Sequence, residues 1–240
     1  MHAGAKCEMM VTGLPRHQIY FPYLPMKWAL ADILTRTPIV ANTRVTNIFG
    51  QRRVEAIELT YTNGQTEIVE CDTLIFTGDW IPEHEMARLG GLVIDEGTRG
   101  PQVDAEFRSS VKGVFAAGNL LRGVATADHC ALEGQRAARS ITRYLKNPEW
   151  PATRLEIQNE TPIRWVCPNV VHPVQSDSAR PFSFQLSEFR KNAQVQVFQG
   201  DSVLYTQTSR QLIVNEIMVL NGDWVCKVNP NGEAIRIKVM

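Results

Sequence analysis

Gly113-Val114-Phe115-Ala116-Ala117-Gly118-Asn119, followed by a helical stretch from Thr126 to Leu145, is the part of this chain whose reading decides the fold. Val114 to Ala117 is a continuous apolar run, as expected of a strand covered on both faces. Gly118 ends the run, and a strand ending in glycine lets backbone approach a ligand closely because no Cβ intervenes. The helix that follows presents N-terminal N–H groups and a dipole that favour electron-rich or anionic atoms. Positions 127, 130, 131, 134, 138, 141 and 145 are apolar or small and follow the i, i+3, i+4, i+7 pattern. Ala127, Ala131, Gly134 and Ala138 would let this helix approach a sheet or a ligand. Asn147-Pro148 and Pro151 stop it. On spacing alone an ordinary βα turn is the plainer account of the layout.

Working outward, Thr73-Leu74-Ile75-Phe76 is a second apolar run that reads as a buried strand, ended by Thr77-Gly78. Pro82 suits the first turn of a short helix through Leu89, closed by Gly90-Gly91. Before residue 73 the chain holds short β-like stretches between turn signals. Pro15, Pro22 and Pro25 interrupt its start, and Met26–Thr35 fits one short helix. Ile39–Val45 and Val54–Tyr61 read as strands, with the hairpin dipeptide Asn63-Gly64 leading into Glu67–Cys71.

Beyond Pro151 helical periodicity gives way to alternation. Ala193, Val195 and Val197 alternate with polar residues, as do Ile235, Ile237 and Val239. Trp224, Cys226 and Val228 alternate with Val225 and Lys227. Turn signals at Gln199-Gly200-Asp201, Asn221-Gly222-Asp223 and Asn229–Gly232 separate these strands, so this zone is expected to be sandwich-like. Trp165, Trp224 and Phe198 are expected in its core, and Arg99-Gly100-Pro101 as a turn.

Lys+Arg and Asp+Glu are equal at 25 each, so nothing asks for a nucleic-acid partner. No apolar run approaches the roughly 18 residues of a membrane span, and the first ten residues lack a secretory pattern. A cytoplasmic protein is expected. Cys7, Cys71, Cys130, Cys167 and Cys226 form no CxxC pair and have no zinc spacing. Four or all five read as buried small hydrophobes, with no metal site and no dithiol relay.

The Gly113–Asn119 stretch resembles the second FAD motif of the glutathione-reductase-like flavoproteins, the FAD-dependent pyridine-nucleotide-disulfide oxidoreductases. There an apolar strand ends in Ala-x-Gly-Asp, and the Asp binds the ribityl–phosphate part of FAD. Cys71–Gly78 resembles the family's other late signature, an acidic residue, an apolar strand and a Thr-Gly turn. The stretch from Leu92-Val93-Ile94-Asp95 to Arg108-Ser109-Ser110 is similar too. The Thr126–Leu145 helix, with Glu133-Gly134-Gln135 and Ala137-Ala138, is similar to the helix whose N-terminus faces the flavin. The resemblance covers roughly residues 35–145.

It implies an α/β region forming the C-terminal half of an FAD domain, and the alternation beyond Pro151 adds an all-β sandwich-like domain after it. The implied division is 1–72, a remnant of an NAD(P)-binding domain; 73–150, the FAD-domain part; and 151–240, the β domain. It implies Thr77, Gly78, Gly118, Asn119, Thr126 and Ala127 as cofactor-binding residues, with FAD and NAD or NADP as cofactors. Two departures stand out. Asn119 replaces the Asp, which loses a charge-assisted acceptor. No GxGxxG occurs, and Gly4 and Gly13 are isolated. Truncation within the NAD(P) domain is the favoured explanation.

No catalytic residue is assigned. His84 and Glu85 read as a solvated helix face, and Asp128 and His129 as first-turn residues of the long helix. The implied function is part of an oxidoreductase passing hydride between NAD(P)H or a small organic substrate and FAD, without a visible dithiol. Its partners would be a small-molecule substrate or a redox protein, in a homo- or hetero-oligomer. The alternative is a non-catalytic remnant or interaction subunit of a heteromeric flavin dehydrogenase.

Overall fold

The computed structural model describes residues 4–15, 37–78, 80–123, 125–172 and 180–240. The chain divides into two compact units, Met1–Gly78 and Asp79–Met240. The helix expected over Met26–Thr35 lies outside the described residues.

In the first unit β1 (Met10–Val11) pairs in parallel with β2 (Ile39–Val40). β3 (Thr43–Phe49), β4 (Ala56–Tyr61) and β5 (Thr66–Glu70) form an antiparallel sheet in that order. Ile57 and Leu59 alternate along β4 and are buried, because residues two apart share a sheet face. The β4–β5 turn is made at Asn63-Gly64, with Gly64 at φ 84 and the Gln65 N–H donating to Asn63 Oδ1 at 3.0 Å.

Thr73–Phe76 is not a strand, and its apolar side chains are not buried. Ile75 is 77% and Phe76 73% exposed, without regular secondary structure. A strand needs a partner to satisfy its N–H and C=O groups, and no described strand pairs with this run.

The second unit opens with α1 (Glu85–Leu89), which buries no residue and begins after Pro82 rather than on it. α2 (Asn119–Arg122) and α3 (Ala127–Lys146) follow. Eight strands complete the unit: β6 (Leu155–Asn159), β7 (Ile163–Cys167), β8 (Val170–Val171), β9 (Phe182–Leu186), β10 (Arg190–Gln199), β11 (Ser202–Leu212), β12 (Met218–Leu220) and β13 (Ile235–Val239). They form a five-stranded sheet in the order β11-β10-β13-β6-β8 and a three-stranded sheet β12-β9-β7.

Between these sheets lies the main core, with Phe182, Phe184, Val195, Val197, Trp224 and Ile237 among its members. Fully burying side chains of this size stabilises by about 1.5–3 kcal/mol each. Thus the fold is mixed α/β as a whole, helical over Asn119–Lys146 and mostly strands from Leu155 onward. One stretch departs from expectation. Val225–Lys227 is a 3-10 turn rather than part of a strand. Trp224 and Val228 are buried while Cys226 is exposed, a spacing of four that suits a helical turn rather than a pleat.

β7 joins the β region to the α/β region. Ile163 and Val166 belong to the main core, while Trp165 and Cys167 pack with Val103, Phe107, Ala116, Leu121 and Ala137 in a second one. A strand buried on both faces must be apolar throughout or satisfy its polar atoms internally. Accordingly Trp165 Nε1 donates to Gln185 Oε1 at 3.1 Å.

Candidate functional site

The turn at Gly118 is built from the chain before it. The Ala116 N–H donates to Phe107 O at 3.0 Å and the Ser109 N–H to Val114 O at 2.9 Å, which leaves one bridge, Arg108 to Phe115. Val114–Ala117 is therefore a bridged segment rather than a full strand. Ala116 is buried but Val114 is exposed. As at Thr73–Phe76, the described residues offer no further strand to pair with it.

Gly118 is buried, with φ 75 and ψ −152, a backbone conformation open to glycine and strained for other residues. Its N–H donates to Glu133 Oε2 at 3.1 Å. Glu133 Oε1 accepts from Arg122 Nη2, and Arg122 Nη1 donates to Cys167 Sγ at 3.8 Å. Burial opposes the Arg122 charge, yet its pKa lies above the ordinary value because Cys167 and Glu133 favour the charged form. Burial pushes the Cys167 thiol up to about 11, against the pull of Arg122. Cys167 is thus neutral near pH 7, and Glu133 is the working counter-charge for Arg122.

Asn119 is exposed, and its Oδ1 accepts the Ala125 N–H at 2.8 Å, closing the loop between α2 and α3. Thr126 is the N-cap of α3. Its hydroxyl donates to Asp128 Oδ1 and lies 3.1 Å from His129 Nδ1. The Thr126 hydroxyl, and then the backbone N–H groups of Asp128 and His129, hold the Asp128 carboxyl below the usual carboxylate range. Gly118, Asn119, Thr126 and Ala127 are therefore gathered in one local structure. Thr77 and Gly78 are exposed residues of the first unit.

α3 has the expected bounds but not the expected buried face. Ala137 and Ser140 are buried, and Cys130, Glu133 and Tyr144 are half-buried. The apolar stripe of Ala127, Ala131, Gly134, Ala138, Ile141 and Leu145 is exposed, with Leu145 at 77%. At 3.6 residues per turn the two faces lie about a quarter turn apart. Leu89 and Met86 on α1 are exposed as well.

Sequence reasoning missed the Arg122–Glu133–Cys167 group, because no spacing rule links a helix to a strand residue 45 positions away. It also missed a buried cluster around Asp104. Asp104 Oδ2 accepts Arg108 Nε at 2.7 Å and faces His172 Nε2 at 3.3 Å. Burial lowers the His172 pKa, with Asp104 pulling the other way. A small cleft there is lined by Asp104, Glu106, His172, Arg180, Phe182 and Val225. Of the cysteines only Cys167 is buried. Cys226 is exposed and the other three are intermediate, so burial of four or five is corrected. The described residues hold no metal-ligating cluster, and no described helix is long and apolar enough to cross a membrane.

In sequence and fold the chain is similar, over part of its length, to the FAD-dependent pyridine-nucleotide-disulfide oxidoreductases. Dihydrolipoyl dehydrogenase from Geobacillus stearothermophilus is 31% identical over 96 residues, which is 39% of this chain and 20% of that enzyme. Thioredoxin reductase from Lactococcus lactis superposes with TM-score 0.50 at 12% identity, over 59% of this chain and 46% of that one. Thioredoxin reductase from T. acidophilum is 25% identical with TM-score 0.49, over 58% of this chain and 45% of that one. The chain thus spans less than half the length of each. No family model matches it.

Proposed function

We propose that the chain is part of an oxidoreductase that passes hydride between NAD(P)H or a small organic substrate and FAD, with residues 73–150 as the C-terminal part of its FAD domain. The observation that carries this reading is the uncovered apolar stripe of α3 beside the Gly118 turn. Small and apolar residues at helical spacing on an exposed face stabilise nothing until another layer covers them. In the proposed enzyme that layer is the sheet of the FAD domain, carrying the GxGxxG phosphate cradle absent from this sequence. The division into 1–72, 73–150 and 151–240 belongs to the same proposal.

The residues fit a flavin in a limited way. Gly118 has no Cβ and a backbone that lets a ligand close in. The Asn119 Oδ1 is engaged by Ala125, so its Nδ2 is the group left to donate to a cofactor oxygen. Thr126 and Ala127 open α3, whose N-terminal N–H groups would face the cofactor. For Thr77 and Gly78 the proposal rests on the likeness of Cys71–Gly78 alone. FAD supplies the two-electron chemistry. This chain's residues bind and orient it, with no redox dithiol among them.

The test is co-expression with a polypeptide carrying a GxGxxG βαβ unit from a solved relative. The expected product is a yellow complex bleached by NADH or NADPH. A folded chain that never retains flavin in such a complex would overturn the proposal. The second reading, an interaction subunit without catalysis, is favoured by one observation: the Asn119 oxygen is spent on the loop.

A further inference from the structure

We infer that Cys167, a residue of the C-terminal strands, positions the Gly118–Asn119 turn by acting through Arg122 and Glu133. The identity of the ligand at that turn rests on the flavin reading above, but the coupling itself rests on geometry.

The connection is continuous. The Gly118 N–H donates to one oxygen of Glu133, the other oxygen accepts from Arg122 Nη2, and Arg122 Nη1 donates to Cys167 Sγ at 3.8 Å. Arg122 is buried, with a 6% exposed side chain, and its Nε finds no hydrogen-bond partner among the described residues. The guanidinium therefore depends on two acceptors, the Glu133 carboxylate and the Cys167 sulfur. Removing the sulfur leaves a second buried N–H group unsatisfied, so the guanidinium must shift or admit water. Glu133 moves with it, because the pair is charge-assisted. The Gly118 N–H then loses its acceptor.

Cys167 is well placed to act as a fixed point. β7 pairs antiparallel with β9, where Cys167 lies opposite Ser183, and the Ser183 hydroxyl donates to Cys167 O at 3.1 Å. Phe182 and Phe184, flanking Ser183, belong to the main core. The sandwich thereby holds the sulfur, and the sulfur holds the arginine that holds the turn. A simpler role would make Cys167 only a filler of the second core, which it shares with Leu121 and Trp165. The two roles differ in what serine does at this position. As a filler, serine is worse than alanine because it brings a buried hydroxyl; as an acceptor, serine restores what alanine removes.

The test follows the Gly118 amide by 15N-resolved hydrogen exchange in the full chain. Cys167→Ala is expected to move the Gly118 resonance and speed its exchange by at least about tenfold, with Val195 and Ile237 unchanged. Cys167→Ser is expected to recover most of the protection. Glu133→Gln, at a partly exposed side chain, is expected to shift the same resonance should Cys167→Ala fail to fold. Unchanged Gly118 exchange in Cys167→Ala overturns the inference. So does serine behaving worse than alanine, or an equal loss at Val195 and Ile237. FAD titration of the parent chain is read separately: no response there removes the flavin reading and leaves the coupling to the exchange data.

Discussion

Replacing Gly118 by alanine isolates the backbone requirement at the centre of the site. Gly118 sits at φ 75 and ψ −152, where a side chain costs about 1–3 kcal/mol. Space is not the obstacle. An ideal Cβ would lie 3.7 Å from Cys130 Cβ and 3.8 Å from its sulfur, ordinary contact distances. Alanine also restricts the unfolded chain, which returns about 0.4–1 kcal/mol. The net expectation is a loss of about 1–2 kcal/mol. With a urea dependence of about 1–3 kcal/mol per molar, the midpoint falls by roughly 0.5–1 M. Gly134→Ala is the control of opposite sign. Gly134 lies within α3, and a Cβ there meets nothing within 4 Å. Its replacement should gain about 0.8–1 kcal/mol from helix propensity. Urea unfolding monitored by tryptophan fluorescence measures both. A Gly118→Ala midpoint equal to or above that of the parent would refute the argument from backbone strain.

Three further outcomes are expected. At pH 8 a thiol reagent should modify exposed Cys226 readily and buried Cys167 only after unfolding. Because the folded Cys167 pKa of about 11 lies above its unfolded value, its contribution is complete below about pH 8.5 and fades as pH rises toward 11. Urea midpoints across pH 8–11 should show that decline in the parent and a flatter profile in Cys167→Ser. In a flavin-loaded complex, Asn119→Asp keeps an acceptor for the Ala125 N–H and offers its second oxygen to a cofactor hydroxyl, which can donate as well as accept, so FAD affinity should hold or rise. Asn119→Leu removes the acceptor and should weaken binding by about 1–3 kcal/mol. Fluorescence titration of the three variants checks this, and equal affinities would remove position 119 from the site.

Local signals in the sequence translated well. The i, i+3, i+4 pattern and Asn147-Pro148 located α3, Asn63-Gly64 located the β4–β5 turn, and alternation located β10 and β13. Burial was less legible, for a physical reason. Apolar runs such as Thr73–Phe76 and the stripe on α3 record what those segments are suited to pack against, whether or not this chain supplies it. Ile75, Phe76 and Leu145 are exposed in this chain. At Trp224–Val228 a period of two and a turn with spacing four shared the same apolar ends, and the 3-10 turn won. Arg122, Glu133 and Cys167 left no local trace because their meeting depends on where β7 lands.

The loop from Gly118 to Ala127, proposed as a flavin-binding element, is tested directly by an NMR titration of the 15N-labelled chain with FAD. The amides of Gly118, Asn119, Thr126 and Ala127 are expected to shift together and saturably. Without a phosphate cradle the affinity should be weak, roughly millimolar or about −4 kcal/mol, and ADP alone should leave these amides in place. No shift at these four residues at saturating FAD, or the same shifts with ADP alone, would contradict the account.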